Sequence, residues 1–165
     1  MRIAKLVPIL AIITLFSFTS CAKDTMEDEA LNSIEVPVAP DAKDIEIEIM
    51  SLINAYRINE GLSALQHHPT VKAVASTHTD YMIEVNNVSH DNFFLRKQSL
   101  QENADANVVS ENVAYGFSSA QSVVNAWIAS PSHLDNIIGD FTDFDVSAEQ
   151  NSNGKWYFTN MFIKR

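Results

Sequence analysis

Cys21 is the only cysteine in this 165-residue chain, and it constrains the fold more than any other residue. A lone thiol closes no intramolecular disulfide, so whatever folds here must rest on a hydrophobic core and not on covalent staples. That demands a segment with enough periodic apolar residues to build such a core. Residues 41–165 meet the demand, since a domain of that length buries a sizeable interior.

The position of Cys21 carries a second constraint. Arg2 and Lys5 stand before an apolar run from Leu6 to Phe18, too short to span a bilayer and flanked like a secretory signal. The run closes in Phe18-Thr19-Ser20-Cys21, which resembles a bacterial lipobox, where the cysteine is freed by cleavage and acylated. Residues 1–20 are therefore expected to be a lipoprotein signal peptide and Cys21 a lipidation site. An ordinary cleaved signal with an incidental cysteine is the alternative. The expected location follows: export across the inner membrane, then lipid anchoring in the bacterial envelope, at the outer membrane or cell surface.

Charge narrows the partners. The formal net charge is −10, and residues 1–20 hold Arg2 and Lys5 but no acid, so loss of that segment leaves −12. Such acidity argues against nucleic acid, whose phosphates call for Lys and Arg. It argues equally against clinging to anionic headgroups by charge. Residues 21–40 carry Asp24, Glu27, Asp28, Glu29 and Glu35, then Pro37 and Pro40, with few large apolar groups. A segment of that composition buries too little to offset its ordering entropy and reads as an acidic tether.

The remainder divides into helical and extended parts. Asp41 is placed to cap a helix with apolar Ile45, Ile49, Leu52, Ile53 and Tyr56, stopped at Gly61. Pro69 suits the first turn of a second helix, whose stripe is Val71, Val74, Ala75, His78, Tyr81, Met82 and Val85. Residues 91–107 give an ambiguous pattern in which Phe93, Phe94 and Leu100 fit an irregular helix. Val108-Val109 is a short strand candidate. Ser118-x-x-Gln121 has a capping-box pattern ahead of Ala120, Val123, Val124, Trp127 and Ile128, with Pro131 as stop. Ser132 is expected to cap a short turn of helix ending at Gly139. Phe144, Val146 and Ala148 alternate with polar residues, and Asn153-Gly154 turns the chain into the extended run 156–162, which makes a hairpin. Helices with a small, mainly antiparallel sheet define an α+β fold.

These segments, in order, resemble a CAP domain (SCP/PR-1, cysteine-rich secretory protein) of the bacterial branch. The resemblance rests on Leu52-Ile53-Asn54-x-x-Arg57, Gly61-Leu62-x-x-Leu65, Ala75-x-x-His78-x-x-x-Met82 and Ser89-His90. It continues through Glu111-Asn112-Val113-Ala114-x-Gly116, Trp127-x-x-Ser130-Pro131-x-His133-x-x-Asn136 and Phe158-Thr159-x-x-Phe162. It implies a three-layer α-β-α sandwich over 41–165, with a cleft lined by His90, Glu111 and His133. Some members bind a divalent metal through two histidines, which here implies His90 and His133 and an ion such as Zn²⁺. Departures accompany the match. Ser130 stands where many eukaryotic members have a second cleft Glu, Tyr157 where they have a His, and Asp145 and Ser147 where two strand glycines are expected.

Each candidate has a functional and a structural reading. His90 follows a helix terminator on a loop, so it is either a cleft group or a surface turn residue. Glu111 is a cleft acid or a capping carboxylate. Asn112 fixes the loop through backbone hydrogen bonds more readily than it touches a ligand. His133, near the start of a short helix, would be kept neutral by the helix N-terminus; a buried His bonded to backbone is its alternative. His78 lies on an apolar stripe and reads as structural, Trp127 as core. His67 and His68 would face opposite ways on a strand and chelate poorly. Ser130 and Ser132 fit helix stop and start better than nucleophilic catalysis.

Two function classes follow. One is a binding module in which the cleft holds a small ligand, a peptide or a divalent metal without turnover. The other is a metal-assisted hydrolase, such as a peptidase, with His90 and His133 as ligands and Glu111 as base.

Overall fold

The structure, a computed structural model, describes residues 36–165. The expected signal peptide, Cys21 and most of the expected tether lie outside the described residues. The elements in chain order are α1 (Asp44–Asn59), β1 (Gln66–His67), α2 (Pro69–Glu84), α3 (Phe93–Asn103), β2 (Val108–Tyr115), α4 (Ala120–Ala129), α5 (Pro131–Ile137), β3 (Asp143–Gln150) and β4 (Trp156–Lys164). The sheet runs β1-β3-β4-β2, antiparallel except for β1 against β3. Helices cover both faces, so the α+β expectation and the α-β-α layering hold.

Period-two alternation along the strands creates the layers. Phe144, Val146 and Ala148 of β3 and Phe158 and Phe162 of β4 point to one face, where they pack with Ile49 and Ile53 of α1 and Val123 and Trp127 of α4. Met161 and Ile163 point to the other, against Val71, Val74 and Ala75 of α2 and Leu100 of α3. Val36, ahead of α1, packs on this second cluster. Among the described residues no helix is long and apolar enough to cross a membrane.

Local chemistry moves several boundaries. The N-cap of α1 is Lys43, not Asp41, because the Glu46 carboxylate reaches back to the Lys43 N–H at 2.7 Å. Gly61 follows the α1 C-cap with φ +76°, the left-handed conformation a helix stop favours. Ser119, not Ser118, caps α4, accepting from the Ser122 N–H at 3.2 Å. Ser130 closes α4 and opens α5, so Ser132 is the second residue of that helix and not its cap. The ambiguous segment 91–107 contains a continuous helix, α3, entered through Asn92 at φ 59°. Two differences touch the site. Strand β2 extends to Tyr115 and includes Glu111 and Asn112, and β1 is a two-residue strand with no sequence signal of its own.

Candidate functional site

Strand β2 is the outer strand of the sheet, and alternation sends its side chains to opposite faces. Glu111 shares a register row with Met161 on the α2–α3 face, whereas Asn112 pairs with Asn160 on the α4–α5 face. The Glu111 carboxylate is almost wholly buried, and a buried charge requires partners. Arg96, itself buried on α3, supplies them as a fork: Nε donates to Oε2 at 2.7 Å and Nη2 to Oε1 at 2.8 Å. Its Nη1 donates to the Asp91 carbonyl at 2.7 Å, tying α3 to the loop that carries His90.

His90 completes the set. Its Nδ1 lies 2.8 Å from Glu111 Oε1 and donates to it, which orients the ring and, in the neutral tautomer, leaves Nε2 as an acceptor. The side chain is 53% exposed. An open cavity of about 230 Å³ lies against it, lined by His90, Phe93, Val109, Ser110 and Glu111. His78 supports the loop from beneath. Its Nε2 donates to the Ser89 carbonyl at 2.7 Å and lies 4.0 Å from Glu111 Oε1. Burial, and then the Arg96 charge, hold the His78 imidazole below the usual histidine range, so it stays neutral. The structural reading of His78 is thus accurate and incomplete, because what it positions is the site loop.

Electrostatics set what Glu111 can do. Burial alone would raise its proton affinity, but the hydrogen bonds from His90 and Arg96 and the Arg96 charge outweigh burial and leave it below the usual glutamate range. Both oxygens accept hydrogen bonds from fixed donors. A carboxylate in that state orients His90; it is a poor proton acceptor for a water.

His133 approaches from the other side of the sheet. It is the third residue of α5, and Asn112 Nδ2 donates to its carbonyl at 3.0 Å. Asn136 completes the fastening, donating to Asn112 Oδ1 at 2.7 Å and to the Glu111 carbonyl at 3.1 Å while its Oδ1 accepts from Ser110. His133 Nδ1 is buried with no hydrogen-bond partner among the described residues. Burial, and then the charge of His90, lower its proton affinity. The two imidazoles thus interact through charge, yet His133 is not among the residues lining the cavity. Asn112 fastens backbone, as its residue type implied. Ser130 caps α5 with its Oγ 3.5 Å from Ser132, away from the cavity lining. Tyr157 is buried with Met82 and Val113, its hydroxyl donating to Asn86 at 3.2 Å.

His90 is the one imidazole at the cavity, and among the described residues no group of three or more His, Cys, Asp or Glu is placed to hold a metal. Sequence reasoning missed Arg96 altogether. The available signal was physical: a buried acid needs a cation, and Arg96 lies in the ambiguous segment 91–107 just ahead of β2.

Comparison with known proteins bears on this geometry. The description of the cysteine-rich secretory protein family, CAP, matches residues 50–162. The uncharacterized membrane protein YlbC of Bacillus subtilis is 30% identical over 124 residues, 73% of this chain and 34% of that protein, so the chain spans about a third of that relative's length. An outer surface protein from Borrelia burgdorferi superposes with a TM-score of 0.68 at 25% identity, over 76% of this chain and 96% of that one. An extracellular protein containing a SCP domain from Bacillus anthracis gives a TM-score of 0.65 at 24% identity, over 76% and 45% of the two chains, a likeness of fold.

Proposed function

This chain belongs to the cysteine-rich secretory protein family, CAP, and from that premise we propose that it is a cell-envelope lipoprotein whose cleft binds a small ligand or peptide without turnover. The carrying observation is the state of Glu111. Its two oxygens are committed to Arg96 and His90, so the cleft presents one oriented imidazole and an apolar wall of Phe93 and Val109. His90 Nε2 acts as the acceptor for a ligand N–H or O–H, and the wall takes an apolar group. The metal-assisted hydrolase reading loses Glu111 as its base for the same reason. An envelope location agrees with an outer-surface relative of like fold and with the signal-like N-terminus.

The test is a screen of peptides and small metabolites against the full-length protein in detergent, read by thermal shift and repeated with His90→Ala. Ligands that stabilise the wild type, lose their effect in His90→Ala and emerge chemically unchanged support the reading. Ligands that stabilise both proteins equally, or that are cleaved by the wild type, overturn it.

A further inference from the structure

A second constellation lies away from the His90 cleft, where the chain entering α1 crosses the N-terminal ends of α1 and α2. Three ionisable side chains are buried there: Glu46, Lys72 and Asp145. Glu46 is fully satisfied. Its Oε1 accepts from the Ala148 N–H at 2.7 Å, its Oε2 from the Lys43 N–H at 2.7 Å, and the Lys72 ammonium lies 2.5 Å from Oε1. Lys72 Nζ also donates to the Val146 carbonyl at 3.0 Å. The neighbouring Glu149 pairs with Lys43. Each of these acids therefore has its own ammonium group, and among the described residues Asp145 has none.

Asp145 stands at one of the two strand positions where family resemblance led to the expectation of glycine. Strand β3 accommodates it without a break, with its side chain on the α2 face and only 8% exposed. Oδ1 accepts from the Val146 N–H at 2.9 Å. Oδ2 has no hydrogen bond among the described residues; the His67 Nδ1 is 3.8 Å away, beyond hydrogen-bond reach. Asp145 lines an open cavity of about 370 Å³, whose apolar walls include Pro40, Ile47, Met50 and Pro69. The cavity thus has aliphatic sides and one unused carboxylate oxygen, with Asp41, His67 and the Glu46-paired Lys72 also on its lining.

We propose that this cavity is a binding site for an alkylammonium group, with the cation on Asp145 Oδ2 and the alkyl stem against Ile47, Met50 and Pro40. The unspent carboxylate oxygen selects a hydrogen-bond-donating cation, since the Lys72 charge is already neutralised by Glu46. The apolar walls select a stem of several methylenes over a bare inorganic cation. The groups facing Asp145 are Lys72, Glu46 and His67, and burial is the largest influence on its carboxyl, pushing it up to about 6. A bound cation opposes that rise, so binding releases protons near pH 6 and weakens as pH falls below it.

The alkylammonium has two sources, a free amine or a lysine side chain, and one experiment separates them. Full-length protein in detergent is titrated at pH 7.5 and constant ionic strength with n-butylammonium, with Nα-acetyl-lysine methylamide and with sodium chloride as control, following the carboxyl ¹³C shift of Asp145 and backbone amides of 144–148 by NMR. Saturable shifts with either amine, absent with sodium and lost in the near-isosteric Asp145→Asn, support the site; response to the lysine compound alone assigns it to a polypeptide lysine. Amide shifts of equal size in Asp145→Asn, or no saturable shift with either amine, overturn it. His90→Ala leaves this titration unchanged, so its outcome is independent of the cleft reading.

Discussion

Arg96 is a buried cation whose charge is matched by one carboxylate, and that pairing governs the cost of losing it. Removing one partner of a buried ion pair strands the other, at about 3–5 kcal/mol. Arg96→Met is expected to lower the unfolding free energy by that order, measured by urea denaturation, and Arg96→Met with Glu111→Gln to recover part of it, because the stranded carboxylate is gone. The pair also sets an acid limit. The Glu111 carboxyl lies below its ordinary value of 4.5 in the folded protein. Its stabilising contribution is therefore in place above pH 4.5 and is lost as pH falls through the lower folded value. Arg96→Met should flatten the stability profile below pH 4.5. At this scale the sequence was legible where a short motif marks a residue, as for His90 and Glu111. It was silent about Arg96, because the fork that reaches Glu111 depends on how α3 lies over β2, and no spacing along the chain encodes that approach. A smaller test concerns Ser147, whose buried Oγ has no hydrogen-bond partner among the described residues. Ser147→Ala removes an unpaired polar atom and is expected to stabilise by about 1 kcal/mol, read from the same denaturation curves.

Elements were legible in proportion to how regularly their faces are divided between core and solvent. Helices α1 and α2 and the β3–β4 hairpin have clean periodicity and turn residues, and all three form as their patterns imply. Strand β2 does not advertise itself. Ser110 and Asn112 face the α4–α5 side, where an apolar residue would be expected, because Asn136 of α5 supplies the hydrogen bonds that polar side chains need there. That exchange makes α5 a fastening for the strand that carries Glu111. Asn136→Ala leaves buried Asn112 Oδ1 without its donor and releases the Glu111 carbonyl, so the expected cost is about 1–3 kcal/mol. Hydrogen exchange should locate the damage in β2, with faster exchange from Ser110 to Val113 than in β3. Strand β3 responds in the opposite sense. Asp145 is raised from 3.8 to about 6 by burial, with Lys72 and His67 opposing and Glu46 reinforcing. An acid whose folded value is raised weighs against folding above pH 6, is relieved between pH 6 and 3.8, and has no effect below both. The change from 3.8 to about 6 corresponds to at most about 3 kcal/mol. Asp145→Asn should accordingly raise the melting temperature at pH 7 and leave it nearly unchanged at pH 3.5.

For the whole molecule, the lone cysteine divides the labour between folding and attachment. The domain builds its two apolar layers without a disulfide, so its stability is expected to be indifferent to reductant. The attachment proposed here is covalent. A chain of net charge −12 after loss of residues 1–20 is repelled by anionic headgroups, and no described helix is long and apolar enough to cross a membrane. The proposed anchor is acylation of Cys21, and stable anchoring takes more than one chain. Two outcomes follow for cells fractionated after lysis. High salt should leave the wild-type protein with the membranes, because charge does not hold it there. Cys21→Ser should move the protein to the soluble fraction without altering its melting temperature, because the residue lies ahead of every element of the folded core. Retention of Cys21→Ser in the membrane fraction, or release of the wild type by salt alone, would refute an acyl anchor and require an attachment through the domain itself.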